Sequence, residues 1–172
     1  MTYVNKLEFN ADGTIRQVDV TLDGVGYLRP SDHPQEIKVL GAEASSEAQR
    51  HKILRNKDWR CERTEMFSPL FAIDGANGSR WMAADDDPRP TLTIDLGSAR
   101  TVGSSEIAFV RPTAGHAYIL EGSLDGRSWT RIGGHPDVQK RSPHVDRIGQ
   151  EYQYLRVTIT HGIKGIYEWK LY

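Results

Sequence analysis

The chain has 172 residues, a formal net charge of −1 at pH 7 and one cysteine, Cys61. That length suits one domain of ordinary size with a small appendage. The near-zero charge excludes a bulk electrostatic field directed at nucleic acid or at an anionic membrane, so we expect neither as a partner. A single cysteine excludes an internal disulfide framework and a four-thiolate zinc site.

The first 34 residues predict short strands around one tight turn. Leu7 and Phe9 alternate with polar residues, "NADG" supplies the turn, and a second alternating run follows in "VDVTL". The Gly- and Pro-rich stretch "GVGYLRPSDHPQE" then predicts a boundary loop. The start, "MTYVNKLEFN", lacks the features of a signal peptide, which leaves a cytosolic protein or an excised fragment, and a start inside a strand favours the fragment.

The next segment is polar and has no sustained period of either kind. "AEASSEAQRHKILRNKDWRCERTEMFSP" is interpreted as a long ordered loop with one helical turn near residues 47–54. Trp59 lies in its charged part, "RNKDWRCER", without apolar neighbours, so an exposed, ligand-contacting role competes evenly with a structural one.

From residue 91 onward the sequence predicts strand after strand. "TLTIDLG" alternates Leu92, Ile94 and Leu96, and "EIAFV", "AYILEGS" and "YLRVTIT" follow with turns such as "LDGRSW" between them. No helical pattern separates these segments. We therefore expect an all-β fold, an antiparallel sandwich of jelly-roll type.

The stretch "FAIDGANGSRW" at residues 71–81 has two interpretations. Ca²⁺ binds six to eight hard oxygen atoms, often on a sharply turning loop. Asp74 supplies a carboxylate, Gly75 and Gly78 permit tight curvature, and Ser79 offers a hydroxyl and a carbonyl. The alternative is a solvated Asp-Gly turn without an ion, since the full acidic spacing of an EF-hand is missing.

Other polar motifs give no indication of catalysis. Three adjacent acids, Asp85, Asp86 and Asp87, point in different directions and predict a solvated loop rather than a paired-carboxylate site. The histidines do not have zincin spacing, and there is no phosphate-binding loop or nucleophile elbow. Of the other tryptophans, Trp81, Trp129 and Trp169 are expected in the core.

Taken in order, "FAIDGANGSRW", "TLTIDLGS", "EGSLDGRSWTRI" and "GIYEWKLY" resemble the coagulation factor 5/8 type C, or discoidin-like, domain, over about residues 37–172. Bacterial members of that group include carbohydrate-binding modules of family 32 type. The resemblance implies an eight-stranded, galactose-binding-like jelly roll over residues 35–172. It also implies an extracellular, cell-surface or periplasmic location.

The N-terminal stretch adds a second resemblance. "YVNKLEFNADGTIRQVDVTLDGVG" is similar to the last strands of family 43 glycoside hydrolases. Residues 1–34 would then be the tail of a missing catalytic domain, or a linker, and the parent protein an arabinofuranosidase- or xylosidase-like enzyme. The catalytic acids of that family would lie upstream, so this chain itself is not expected to be an enzyme.

The factor 5/8 type C resemblance also implies particular site residues. A structural Ca²⁺ would be held by the Asp74 and Glu168 carboxylates, by the hydroxyl and carbonyl of Ser79, and by main-chain carbonyls. The carbonyls are those of Phe71, Ala76 and Tyr167. Sugar-binding loops of such modules would correspond to Arg111 and His116 in "VRPTAGHAY", with Trp59 as a third contact.

Three functions are compatible with these observations. The first is a non-catalytic module that binds arabinose-, xylose- or galactose-containing glycans for a catalytic domain in the same chain. The second is an accessory domain that packs on that catalytic domain and stabilises it without binding glycan. The third is a phospholipid- or protein-binding discoidin domain, disfavoured because the loop tips lack apolar spikes.

Overall fold

The computed structural model describes residues 10–14, 35–55, 57–76 and 78–172. By its internal contacts the chain divides into two units, Met1–Pro34 and Gln35–Tyr172. Within the first unit only the "NADGT" turn is described, where the Asn10 carbonyl accepts a hydrogen bond from the Gly13 N–H. The strands predicted at either side of this turn lie outside the described residues, and the assignment of residues 1–34 to a glycosidase tail stays a prediction.

Strands dominate the second unit. Its described residues form β1 (Gly41–Ala44), β2 (Gln49–Arg55), β3 (Arg60–Met66), β4 (Trp81–Met82), β5 (Thr91–Phe109), β6 (Ala117–Ser123), β7 (Thr130–Gly133), β8 (His144–His161) and β9 (Gly165–Leu171). Two 3-10 helices, Pro69–Ala72 and Pro112–Ala114, complete the regular structure of the described part. Neither has the length or the apolar character needed to cross a membrane.

All strand pairs are antiparallel, and two long strands link the layers of a sandwich. The main sheet runs β4-β9-β5-β8-β6-β7, with β1 added to β5. The first half of β5 pairs with β1 and with the second half of β8, whereas its second half pairs with β9 and the first half of β8. Register shifts within β5 and β8 let each strand bend from one layer to the other. The all-β antiparallel fold predicted from the sequence is confirmed.

The core follows the alternation seen in the sequence. Leu92, Ile94 and Leu96 of β5 are buried while the residues between them are partly exposed. Trp81 and Trp169 are fully buried, as expected, and their indole N–H groups donate to the Ser46 carbonyl (3.0 Å) and the Ser105 hydroxyl (2.9 Å). A large buried aromatic surface with a satisfied N–H stabilises the contact between the layers.

Trp129 differs from its expected core position. It is only partly buried, and the Arg156 guanidinium lies 4.0 Å from the centroid of its ring. Arg156 also pairs with Glu121 at 2.9 Å. Trp129 therefore covers an ion pair on the outer face of the sheet instead of filling the core.

The segment interpreted as a loop with a helical turn is a β-hairpin. β2 and β3 pair in continuous register from Gln49↔Met66 to Arg55↔Arg60 and form a separate two-stranded sheet. Every residue of β2 is exposed, so neither face carries the apolar alternation by which a strand is recognised. The prediction of a helical turn is wrong for this reason.

The acidic loop at residues 85–87 is solvated only in part. Asp85 and Asp86 are exposed, as expected. Asp87 is buried and accepts hydrogen bonds from the Ser45 and Ser46 hydroxyls, which fastens the loop to the segment after β1. These hydrogen bonds satisfy the buried carboxylate and lower the pKa of Asp87 against the opposing effect of burial.

Candidate functional site: a carboxylate corner beside an arginine cleft

The loop after the first 3-10 helix is organised by Asp74. Its Oδ1 accepts the Ala76 N–H (2.9 Å), and its Oδ2 accepts the Ser79 hydroxyl (2.6 Å). The same hydroxyl lies 3.2 Å from the Ala76 carbonyl. Gly75 has φ of 72°, a left-handed conformation that a glycine adopts without strain. The loop therefore turns its hydroxyl, carbonyl and carboxylate oxygens toward one another.

Glu168 of β9 brings a second carboxylate to this corner. Its side chain is buried, and its Oε2 has no hydrogen-bond partner within the described part of the chain. Burial raises the pKa of Glu168; the Gly75 N–H, which donates to this carboxylate, opposes the rise, and the nearby Asp74 charge adds to it. A buried oxygen without a partner beside a second carboxylate is costly unless a cation compensates it.

These groups fit a hard cation such as Ca²⁺. Two carboxylates, one hydroxyl and carbonyls on a sharp turn are the oxygen ligands that Ca²⁺ prefers. Among the described residues, no three His, Cys, Asp or Glu side chains gather into a metal cluster. A site here would therefore depend on main-chain carbonyls, the kind of ligand expected of Phe71, Ala76 and Tyr167.

A cleft of about 340 Å³ lies next to this corner. The ends of several strands line it: Arg50 belongs to β2, Arg80 precedes β4, Arg111 follows β5, and Tyr167 lies in β9. The remaining lining residues are apolar: Met82, Val110 and Ile163. The cleft thus combines three guanidinium groups with an apolar floor.

Aromatic rings hold two of these guanidinium groups. The Arg80 guanidinium lies 4.9 Å from the Phe67 ring centroid and 5.9 Å from that of Tyr167. The Arg50 guanidinium lies 5.6 Å from the Phe67 centroid. Contact with an aromatic face limits the rotamers of an arginine, so less conformational freedom is lost when a ligand binds.

Arg111 reaches the cleft through an unusual backbone conformation. Its φ and ψ are 54° and 66°, and it is the one non-glycine residue with positive φ in the described part of the chain. The left-handed conformation costs an L-residue roughly 1–2 kcal/mol. Strain of this kind is typical of functional positions. The structure thus places Arg111 in a cleft, whereas the sequence indicated only an inter-strand loop.

Corner and cleft are joined by two pairs of neighbouring residues. Ser79 bonds to Asp74 in the corner, while Arg80 lines the cleft. In β9, Tyr167 lines the cleft and Glu168 lies in the corner. Whatever stiffens the corner therefore also fixes the backbone from which Arg80 and Tyr167 project.

His116 does not belong to this surface, so its expected sugar-binding role is corrected. Its side chain is fully buried, and its ring stacks on Phe109 with centroids 4.6 Å apart and planes inclined by 10°. A side chain without solvent-exposed area cannot contact a surface ligand. The polar residue that the resemblance suggested for binding is part of a buried aromatic cluster.

Trp59 is exposed but lies at the far end of the β2–β3 hairpin. Its side chain is 52% exposed. Arg50 lies in the cleft, and the five residues from there to Arg55 extend roughly 16 Å along the strand before the turn that carries Trp59. The structure therefore does not bring Trp59 together with Arg111. Sequence reasoning missed Arg50, Arg80 and the Tyr167 side chain as cleft residues, because only the hairpin and the meeting of strand ends make them neighbours.

The comparisons with known proteins agree with this architecture. No curated protein sequence matches the chain. A solved glycoside hydrolase is 49% identical with a TM-score of 0.77; the match covers 99% of this chain but only 39% of that protein. This chain is thus similar to a minor part of a longer protein.

Two solved modules share the fold at low identity. CBM32 of AlyQ, in complex with 4,5-unsaturated mannuronic acid, is 18% identical with a TM-score of 0.61, covering 81% of this chain and 98% of that one. Chitosan-binding module 1 from a chitosanase/glucanase of Paenibacillus sp. IK-5 is 19% identical with a TM-score of 0.61, covering 81% and 99%. The F5/8 type C domain model matches residues 41–170, so the chain belongs to the F5/8 type C domain family.

Proposed function

We propose that residues 35–172 are a non-catalytic carbohydrate-binding module that serves a glycoside hydrolase. The observation that carries this proposal is the cleft formed by Arg50, Arg80, Arg111 and Tyr167, where donors surround an aromatic edge and an apolar floor. Sugars bind through C–H faces packed on such surfaces and through hydroxyls bonded at the rim. Of the described residues that line the cleft, none is Asp or Glu, which supports binding without hydrolysis.

The parent enzyme is proposed from two observations. The glycoside hydrolase that is 49% identical over nearly the whole chain extends well beyond it. The resemblance of residues 1–34 to the end of a family 43 catalytic domain favours an arabinofuranosidase- or xylosidase-like enzyme acting on plant polysaccharide. Tethering would hold that enzyme near its substrate even with weak single-site affinity. Such a substrate implies an extracellular, cell-surface or periplasmic location.

A structural Ca²⁺ is the second part of the proposal. The Asp74 and Glu168 carboxylates, Ser79, and the carbonyls of Phe71, Ala76 and Tyr167 would hold it. The unpartnered Glu168 Oε2 supports this assignment. The ion would neutralise the carboxylates and tie the loop to β9.

Titration calorimetry of the isolated chain tests the glycan-binding role. Arabinose-, xylose- and galactose-containing oligosaccharides are the ligands, and Arg111→Ala is expected to weaken binding by about tenfold or more. Arg147→Ala removes an exposed arginine that does not line the cleft and serves as the matched control. Heat-free titrations with every glycan would reject the proposal.

One observation favours the alternative of a packing domain. A groove of about 380 Å³ lies over the paired strands β1 and β5. Its lining combines apolar residues such as Leu70, which is 53% exposed, with the polar residues Glu43, Thr93 and Asp95. A catalytic domain packed there would cover the exposed Leu70 side chain. Deleting the domain from the full enzyme would then lower the Tm without changing adsorption to insoluble polysaccharide, whereas a binding module would change adsorption.

A further inference from the structure

Among the described residues, the three arginines of the cleft have no ion-pair partner. Within the described part of the chain, Arg50, Arg80 and Arg111 form no ion pair, whereas Arg60, at the far end of the hairpin, pairs with Glu62. Arg80 is partly buried and the other two are exposed, so all three guanidinium groups are free to form charge-assisted hydrogen bonds with an anionic ligand.

One acidic residue, Glu65, lies beside two of the cleft arginines. Glu65 is opposite Arg50 in the hairpin register, but its Oε1 accepts the Lys52 ammonium at 2.7 Å. That hydrogen bond is the main reason that the pKa of Glu65 is lowered, and Arg63 and Arg80 add smaller effects. The Glu65 Oε2 has no hydrogen-bond partner among the described residues, and Lys52, Arg63 and Arg80 share this one carboxylate, so the three cleft arginines keep an excess of positive charge.

The arginines of the cleft supply hydrogen-bond donors but no acceptors. A guanidinium group donates five hydrogen bonds and accepts none. A neutral sugar hydroxyl both donates and accepts, so its own donor finds no acceptor among the guanidinium groups. A carboxylate or a sulfate ester only accepts, and its geometry matches the guanidinium fork in a bidentate contact.

The floor beneath the arginines indicates that the anion is carried by a ring. Met82, Val110 and Ile163 present apolar surface beside Tyr167. A free inorganic anion would gain nothing from these side chains, whereas a pyranose ring packs its C–H groups on them. The arginines and the apolar floor together thus favour a ligand that carries both an anionic group and a sugar ring.

We propose that this cleft prefers acidic glycans, in which a uronate carboxylate or a sulfate ester lies among Arg50, Arg80 and Arg111 while the sugar ring contacts Tyr167 and the apolar floor. This inference rests on the proposed glycan-binding function and narrows its ligand class. Because Arg50 and Arg111 are exposed, the preference depends on ionic strength.

Titration calorimetry with matched pairs of ligands tests the preference. Trigalacturonate is compared with its methyl ester, which has the same ring without the charge. A glucuronate-bearing xylooligosaccharide is compared with the undecorated one, and sulfated galactotriose with galactotriose. In 50 mM NaCl, the acidic member of at least one pair is expected to bind about tenfold or more tightly, and in 500 mM NaCl the advantage is expected to shrink severalfold. The pair that responds identifies carboxylate or sulfate as the anion.

Variants assign the preference to the cleft. Arg50→Gln/Arg80→Gln is expected to bring the acidic and neutral affinities within about twofold of each other, whereas Arg147→Gln preserves the difference. Thermal melting checks that each variant folds. A double variant that retains the full preference would overturn the assignment.

The outcomes separate this inference from the proposed function. If neutral members bind as tightly as acidic ones, the acidic preference is overturned and glycan binding stands. If no glycan binds, both are overturned. If phosphatidylserine vesicles bind while uronates and sulfated sugars do not, the cleft is a lipid site and both are again overturned.

Discussion

Glu168 and Asp74 lie close enough in the folded domain for the charge of one carboxylate to raise the pKa of the other. They are 94 positions apart in the chain and come together because β9 passes beside the loop after the first 3-10 helix. Without a cation, the two nearby carboxylate charges destabilise the corner. With a bound cation, the same two charges stabilise it.

Glu168→Gln is therefore expected to have opposite effects in EDTA and in Ca²⁺. The folded-state pKa of Glu168 is raised, so ionisation near neutral pH costs stability when no cation is present. In EDTA the amide removes this cost, and Tm should rise by roughly 2–6 °C. In 5 mM CaCl₂ the wild type should gain Tm while the variant does not respond.

Differential scanning calorimetry measures both effects. The exposed Glu151, changed to Gln, is the matched control and should respond to Ca²⁺ like the wild type. A wild-type Tm that is identical in EDTA and CaCl₂ would contradict the metal assignment.

Arg111→Gly should improve stability and weaken binding together. Glycine adopts φ near 54° without the steric cost that an arginine bears, so the free energy of unfolding should rise by about 0.5–1 kcal/mol. The lost guanidinium should weaken glycan binding as much as Arg111→Ala does. Urea denaturation and calorimetric titration separate the two effects.

Arg111→Ala is the comparison for this prediction. It removes the same side chain but keeps a Cβ in the left-handed conformation, so its stability should stay near that of the wild type. Equal stability of the glycine and alanine variants would show that the backbone at this position is not strained.

Trp59→Ala should leave the affinity for short oligosaccharides within about twofold of the wild type. The hairpin holds this residue roughly 16 Å or more from Arg50, beyond the reach of a disaccharide bound in the cleft. Titration of the same oligosaccharide with Trp59→Ala and Arg111→Ala makes the comparison. A larger loss for Trp59→Ala would move the binding site to the hairpin.

A buried histidine, His144, makes the fold sensitive to acid. Its side chain is fully buried at the start of β8, and burial lowers its pKa from 6.5 to about 4. The groups that face it are aromatic or titratable, and several are charged: Phe109, His116, Tyr118, His135, Arg141 and Asp146. The cationic and histidine neighbours add to the effect of burial, and Asp146 opposes it.

The free energy of unfolding should fall as the pH drops from about 6.5 toward about 4. In that range the unfolded chain binds a proton at His144 that the folded domain does not bind. The free energy of unfolding therefore rises with pH and reaches its full value above the pKa of His144 in the unfolded chain, 6.5. His144→Leu should reduce the loss between pH 7 and pH 5, with His116 supplying the remainder because its pKa is also lowered by burial.

Urea denaturation at pH 7 and pH 5 measures this difference. The exposed His51, changed to Leu, is the matched control and should keep the wild-type loss, because it does not interact with His116 or His144. If His144→Leu loses as much stability between the two pH values as the wild type, another group accounts for the acid sensitivity.

The fold was predictable where one face of a strand is buried. The alternation of Leu92, Ile94 and Leu96 shows which face of β5 packs against the core, and the turn residues mark where neighbouring strands end. The β2–β3 hairpin was not predictable in this way, because its strands are exposed on both faces and carry no periodic signal. Its strands are joined by main-chain pairing and by cross-strand charge pairs such as Lys52 with Glu65.

The candidate site was predictable only locally. Asp74 and Ser79 are five positions apart and meet in one loop, so the sequence indicates their contact. The cleft combines Arg50 with Tyr167 across most of the chain, and no local pattern joins them. His116 was misplaced because a histidine between two strands has the same sequence signature whether its ring points outward or into an aromatic cluster.

The bending of β5 and β8 from one layer to the other has a mechanical consequence. Because β5 and β8 contribute to both layers, one layer of the sandwich cannot unfold while the other stays folded. Pulling on the domain from its two ends should thus produce one cooperative unfolding event.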